Sequence, residues 1–281
     1  MKRQGGCGLV VTEMVGARGL ISGIDHTLEY AEYTVEERPV SNQIFGGDPD
    51  TMAEAARIVE AMGADIVDVS MGCPVPKIAK HNAGCSLMKE PEHGAAVIFA
   101  MTRAVKIPVT VKMRAGWNDA NRNAPTVAKM VEDVRASAVT VHGRTAAQSY
   151  SGQADWSSVA EVADSLSIPV FGSGDCVTPE QIVEKFRSGV EGVLVGRGVL
   201  RNPWILAHAS DLLAGRATAG HLTAGPGAIP ARVHRSAAER TGSGSRGVPT
   251  SRTAGGVGSG LKTRPYVRIR RPRAAATIAG W

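Results

Sequence analysis

ADIVDVSMGCPVPKIAKHNAGCS, running from Ala64 to Ser86, decides how the rest of the chain is read. Ile66, Val67 and Val69 make a short strand that packs on both faces, and Asp68 interrupts it with a carboxylate. A polar group inside such a run needs a reason to be there. Gly72 and Pro74 end the strand and hold Cys73 at its carboxyl end, where βα barrels place their chemistry. The loop that follows carries Lys77, Lys80, His81, Asn82 and Gly84, a basic set suited to a phosphate or a polyanion. A lone cysteine is more often a small buried apolar residue. Its Gly-Cys-Pro setting at a strand end favours a chemical role.

Outward from this stretch the same alternation repeats. Six further runs read as strands: Gly8 to Glu13, Val40 to Ile44, Pro108 to Lys112, Ala138 to His142, Ile168 to Phe171 and Gly192 to Val195. A helix capped by Asp50 or Thr51 runs through Gly63, with Met52, Ala55, Ala56, Val59 and Met62 on one face. Further helices are expected near Glu92 to Val105, Val127 to Arg135, Trp156 to Leu166 and Pro179 to Arg187, and Val15 to Ile21 is a loop or short helix. Strands alternating with amphipathic helices give parallel βα units. The fold class is α/β, a (β/α)8 TIM barrel lacking one strand, with an open doubly wound sheet as the alternative.

The length of 281 residues suits one barrel domain over residues 1–215, followed by a low-complexity basic tail over 216–281. The tail from Ala217 carries eleven Lys and Arg against a single acid, Glu239, so the total of +6 conceals a body with a net charge of −4. Its Gly, Ser, Arg and Pro content leaves too little apolar surface to offset ordering, and an unstructured segment is expected. No apolar run is long enough for a membrane span, and the start Met1-Lys-Arg-Gln-Gly-Gly6 lacks the apolar core of a signal peptide. The chain reads as cytoplasmic. Cys7, Cys73, Cys85 and Cys176 form no Cys-x-x-Cys pair, so reduced thiols are expected, with neither a metal site nor a disulfide framework.

The stretch Asp68-Val-Ser-Met-Gly-Cys-Pro74, with Lys77 and Asn82-Ala-Gly84, resembles the signature of the tRNA-dihydrouridine synthases, FMN-dependent enzymes that reduce uridine in tRNA. The likeness extends from about Gly8 to Leu213 through Gln43-Ile-Phe-Gly46, Val111-Lys-Met-Arg114, Val141-His-Gly-Arg-Thr145, Gly172-Ser-Gly-Asp175 and Val195-Gly-Arg197. It implies hydride transfer from reduced FMN, itself reduced by NADPH, to C6 of a uracil ring, with a proton delivered to C5. It also implies that the chain begins at about the family's second strand, after one carrying Pro-Met-Ala-Gly, and that a helical tRNA-gripping domain would follow the barrel. A monomer that binds tRNA is expected.

Under that resemblance Cys73 is the candidate proton donor. Lys112 ends its strand with its ammonium toward the barrel mouth, where it would stabilise negative charge on a reduced flavin. His142 is a candidate contact to the flavin ring or phosphate, and Gln43 offers an amide to the isoalloxazine edge. Ser173, Gly174 and Asp175, with Gly196 and Arg197, follow the last two strands, where glycines let backbone N–H groups approach a phosphate. Ser70, Lys77, Arg114 and Arg144 are candidate tRNA contacts, the charged ones forming a basic rim around a base drawn out of the tRNA fold. The family pattern has Asn where this chain has Ser70 and Ser173. Two other readings are a non-catalytic RNA-binding relative and a flavin oxidoreductase acting on a small pyrimidine.

Overall fold

The computed structural model describes Lys2, residues 5–217 and residues 266–270. Its strands are β1 (Leu9–Val11), β2 (Val15–Gly16), β3 (Val40–Phe45), β4 (Ile66–Met71), β5 (Val109–Arg114), β6 (Ala138–His142), β7 (Val170–Ser173), β8 (Gly192–Val195) and β9 (Tyr266–Arg270). Seven of them pair in parallel in the order β1-β3-β4-β5-β6-β7-β8, and the short β2 extends the pairing along β3. This is an incomplete TIM barrel built from the seven strands legible in the sequence. Between the edges β1 and β8 lies β9, antiparallel to both, with Val267 opposite Val10 on one side and Val195 on the other. Most of the basic tail lies outside the described residues.

Strand polarity explains the layers. Val67, Val69, Val109, Val111, Val139 and Val141 are buried and join the helices in one hydrophobic core, each buried valine contributing about 1.5–3 kcal/mol. The alternate residues turn inward. Gln43, Asp68, Thr110 and Ala138 are direct cross-strand neighbours at one level of the barrel. Ser70, Lys112 and Thr140 form the next level. TIM-barrel interiors are ordinarily filled by bulky branched side chains. Here a cavity of about 760 Å³ remains, its lining shared between polar side chains such as Gln43, Asp68, Thr110 and Lys112 and apolar ones such as Val11, Phe171 and Leu194.

The helices begin where proline or a short polar cap permits. Pro49–Ala61 is capped by Asp48, whose carboxylate accepts from the Thr51 N–H at 2.8 Å. The cap expected at Asp50 or Thr51 thus lies earlier, because Pro49 fits the first helical position, where no N–H is needed. Asp155 caps Trp156–Ser165, and Thr178 caps Pro179–Lys185 in a capping box with Gln181.

Alternate strands share an entry device. Pro39, Pro108 and Pro169 precede β3, β5 and β7, and their carbonyls accept from Val10, Val67 and Val139 at 3.2, 3.1 and 3.0 Å. Proline cannot donate to a ladder but can accept from it, so the run read as a strand from Ile168 begins instead at Val170. Two of these entries are Xaa-Ile-Pro-Val, and each is tied by a helical glutamate. Glu60 accepts from the Lys106 and Ile107 N–H groups at 2.7 and 3.1 Å, and Glu132 accepts from Ser167 and Ile168 at the same two distances. Lys129 and these two N–H groups hold the Glu132 carboxyl below the usual carboxylate range, against the opposing pull of burial. Its contribution is therefore full above the ordinary carboxylate pKa and is lost as pH falls through the lower folded value. Urea unfolding of Glu132→Ala at neutral pH is expected to show a loss of about 2 kcal/mol; an unchanged midpoint contradicts the tie.

Candidate active site

The carboxyl ends of β3 to β8 meet at one mouth, and the residues at the last levels of β4 to β7 are largely polar, with the cations Lys112 and Arg114 on β5. Lys112 stands opposite Ser70 and Thr140, Arg114 opposite His142, and His142 opposite Ser173. Burial lowers Lys112 to about 8, helped by Arg114 and opposed by Asp68 and Cys73, so it remains mostly protonated at neutral pH.

His142 is the most perturbed of the set. Burial, then the charges of Lys112, Arg114, Arg144 and Arg197, push it down to about 2. Its imidazole is neutral at any physiological pH, and Nε2 is buried with no hydrogen-bond partner among the described residues. Arg144 Nη1 is orphaned in the same way. Two unsatisfied buried nitrogens, one on an arginine and one on a histidine surrounded by the charges of Lys112, Arg114, Arg144 and Arg197, fit a ligand that is anionic and rich in hydrogen-bonding atoms, as FMN is.

Cys73 follows β4 on a loop closed by its own backbone. The Cys85 N–H donates to the Cys73 carbonyl at 3.0 Å, and Gly84 between them has φ +61°. A Cβ at Gly84 would lie 2.8 Å from that carbonyl, so glycine is needed there both for the turn and for the approach. Burial raises the Cys73 thiol above its ordinary pKa, opposed by the Val75 N–H and the Arg114 and Lys112 charges. The thiol therefore keeps its proton at neutral pH. Cys85 beside it is raised further, to about 11, by burial first and by Cys73 second.

Arg114 and Arg144, read from sequence as part of an RNA-facing rim, lie beneath it at 4% and 2% exposure. Arg114 donates through Nε to the Gly72 carbonyl and through Nη1 to those of Thr145 and Ser149, all at 2.8 Å. Arg144 donates to the Ser151 and Gly152 carbonyls and pairs with both oxygens of Asp175 at 2.9 and 2.8 Å. Asp175 also accepts from Ala154 N–H at 2.7 Å and from Arg197 at 3.2 Å. Burial opposes its charge, but these donors outweigh it and hold the carboxyl below its usual value. Asp175 is thus the knot joining the loop after β6 to the turn after β7.

Ser173 closes β7 and is buried, so the sequence Gly172-Ser-Gly-Asp175 is half strand and half turn. Gly174 has φ +133°, and a Cβ there would sit 2.4 Å from that of Ala154. Gly196 caps the short helix Arg197–Arg201. Lys77 lies exposed on the short helix Pro76–Ala79, with Lys80 and His81 just beyond it. Gln43 reaches Asp68 deeper in the barrel. One residue was missed in the sequence: Tyr150, 58% exposed, whose ring lies 5.9 Å from the Arg114 guanidinium and 5.5 Å from that of Arg197. A tyrosine in the Ser- and Gly-rich loop Gln148 to Gly152 of an aromatic-poor chain was the available signal.

Among the described residues no helix is long and apolar enough to cross a membrane, and no group of three or more His, Cys, Asp or Glu is placed to hold a metal. Cations at the carboxyl ends of the strands of a parallel βα barrel suit a phosphate-bearing ligand.

The comparisons narrow the class. The sequence pattern of the dihydrouridine synthase (Dus) family matches residues 1–222. A probable tRNA-dihydrouridine synthase of Rickettsia prowazekii (strain Madrid E) is 42% identical over 205 residues, 72% of this chain and 62% of the relative. One from Rhizobium leguminosarum bv. phaseoli is 42% identical, covering 73% and 66%, and tRNA-dihydrouridine synthase B of Pseudomonas aeruginosa is 39% identical, covering 80% and 67%. Among solved structures, a mutant FabK from Thermotoga maritima matches at a TM-score of 0.37 and 16% identity over 63% of this chain and 48% of that one, too slight a likeness to carry an argument. The chain belongs to the dihydrouridine synthase family. It spans about 62% of the length of the first of these relatives.

Two outcomes check this geometry. His142 should show no NMR titration between pH 8 and 5, because burial and four cations keep it neutral; a midpoint near its ordinary value of about 6.5 contradicts the arrangement. Arg144→Met, which removes the donors to the Ser151 and Gly152 carbonyls and one of the two arginines paired with Asp175, should cost about 1–2 kcal/mol and speed amide exchange over residues 145–155. Wild-type exchange there would show that the knot is dispensable.

Proposed function

We propose that this chain binds FMN in the barrel mouth and reduces the C5–C6 double bond of a uridine in tRNA, with NADPH as reductant and Cys73 as proton donor. The observation that carries the reading is the placement of a protonated thiol at the end of β4 beside a cluster of cations at the ends of β5 and β6. Reduced FMN, when bound, supplies a hydride to C6 of the uracil.

The chain's own residues supply the rest. Cys73 Sγ–H gives its proton to C5, and the Arg114 and Lys112 charges stabilise the thiolate left behind until solvent reprotonates it. Lys112, being desolvated, would meet the negative charge of a reduced flavin in a low-dielectric site. His142 Nε2 and Arg144 Nη1 are the unsatisfied nitrogens available to cofactor oxygens. Ser173, Gly174, Gly196 and Arg197 would hold the phosphate, Arg197 being half exposed and Asp175 fixing it in place. Ser70, opposite Lys112, would offer its hydroxyl to the uracil, at a shorter reach than an asparagine amide.

Because Arg114 and Arg144 are engaged inside the fold, an outer RNA-facing surface would include, among the described residues, Lys77, Lys80, His81, Arg197 and the exposed Tyr150 ring, whose face suits stacking against an extruded base. General attraction to RNA falls to the basic tail, most of which lies outside the described residues.

Cys73→Ala should leave flavin binding unchanged and abolish dihydrouridine formation on previously unmodified tRNA, measured by mass spectrometry of digested nucleosides. Undiminished product would remove Cys73 from the mechanism. Unmodified tRNA left untouched by a flavin-loaded wild-type protein would overturn the activity itself.

A further inference from the structure

Gln43, Asp68 and Thr110 stand directly opposite one another on β3, β4 and β5, all facing the barrel interior. Gln43 Nε2 donates to Asp68 Oδ2 at 2.6 Å, and Thr110 Oγ1 donates to Oδ1 at 2.5 Å. Gln43 and Asp68 are 4% and 5% exposed. The charged group facing them is Lys112, two residues further along β5, which favours the ionised carboxylate.

An ionised carboxylate only accepts hydrogen bonds, whereas a primary amide donates from one end and accepts at the other. Asp68 therefore dictates which way round Gln43 sits. The amide nitrogen is drawn to Asp68, and the carbonyl Oε1 is the end left for another partner. A neutral residue in place of Asp68 would tolerate either orientation.

We propose that Asp68 is a positioning residue that turns Gln43 into a hydrogen-bond acceptor toward the ligand of the barrel mouth, selecting a ring edge that carries an N–H, the imide of an isoalloxazine. The inference rests on the flavin reading above and adds the polarity of one contact to it. With the amide reversed, an NH2 group would face the ring N–H, donor against donor, in a site shielded from water. Such a mismatch discriminates strongly because neither group is hydrated.

The test compares FMN with FMN methylated at N3, which lacks the imide hydrogen but keeps ring and phosphate. Quenching of flavin fluorescence reads the affinity of the purified chain for each. Wild type should prefer FMN by about tenfold or more. Asp68→Asn, nearly isosteric but able to present either a donor or an acceptor to Gln43, should bring the two affinities within about threefold, mainly by weakening FMN. A merely structural loss would weaken both flavins alike and leave the preference intact, which would overturn the inference. Asp68→Ser, which cannot reach Gln43 from the same backbone position, carries the same comparison should the asparagine variant fail to fold. A wild-type chain that binds both flavins equally overturns the Gln43 contact, and one that binds neither overturns the flavin reading on which the inference depends.

Discussion

A carboxylate inside a barrel is costly unless its oxygens are met, and Asp68 is the group around which this interior is arranged. Desolvation raises its pKa to about 6, while Thr110, Gln43 and the Lys112 charge each pull it back. The sign is informative. Between the ordinary carboxylate value and about 6 the fold favours the protonated form, so at neutral pH the ionised Asp68 is held at some expense of stability. Replacing a buried polar cluster with apolar residues often stabilises a fold. Asp68, Gln43, Thr110 and Lys112 occupy positions that barrels usually give to branched aliphatics, and that trade is understandable where the interior serves a polar ligand.

Above that level, polarity increases toward the carboxyl ends of β5 and β6, through Thr110, Lys112 and Arg114 on one and Ala138, Thr140 and His142 on the other. Lys112, Arg114 and His142 occupy the final inward positions of β5 and β6, while their outward neighbours Val111, Met113 and Val141 anchor the same strands in the helical core. The rigid half of each strand thus positions the reactive half. Arg114 and Arg144 serve the same end from within. By tying the loop after β6 to Gly72 and to Asp175, they fix the segment bearing Tyr150 and leave Arg197 at its edge.

Much of this was legible from residue order. The seven strands follow from β-branched runs with helices between them; Asp68 stands out as a carboxylate inside such a run, and Cys73, Lys112 and His142 because a polar group or sulfur at a strand end contrasts with its apolar neighbours. Less visible was anything that depends on pairing across the chain. Nothing local shows that Asp68 meets Gln43 and Thr110, since register is set by three strands together. Nor does it show that two arginines in basic-looking segments turn inward to satisfy loop carbonyls. The antiparallel β9 was unreadable for a related reason: Tyr266-Val-Arg-Ile-Arg270 alternates like a strand, but it lies in a segment whose composition argues against packing, and its place is set by the edges of β1 and β8. The strand entries at Val109 and Val170 depend on proline carbonyls and distant glutamates, which act through space.

A mouth built for a flavin should make the purified chain yellow, which its visible absorption spectrum reads. Retained flavin absorbance is expected, or its appearance after incubation with FMN and removal of the excess, with the bound flavin released on unfolding. A folded chain that remains colourless after that treatment would contradict a flavin site in the mouth.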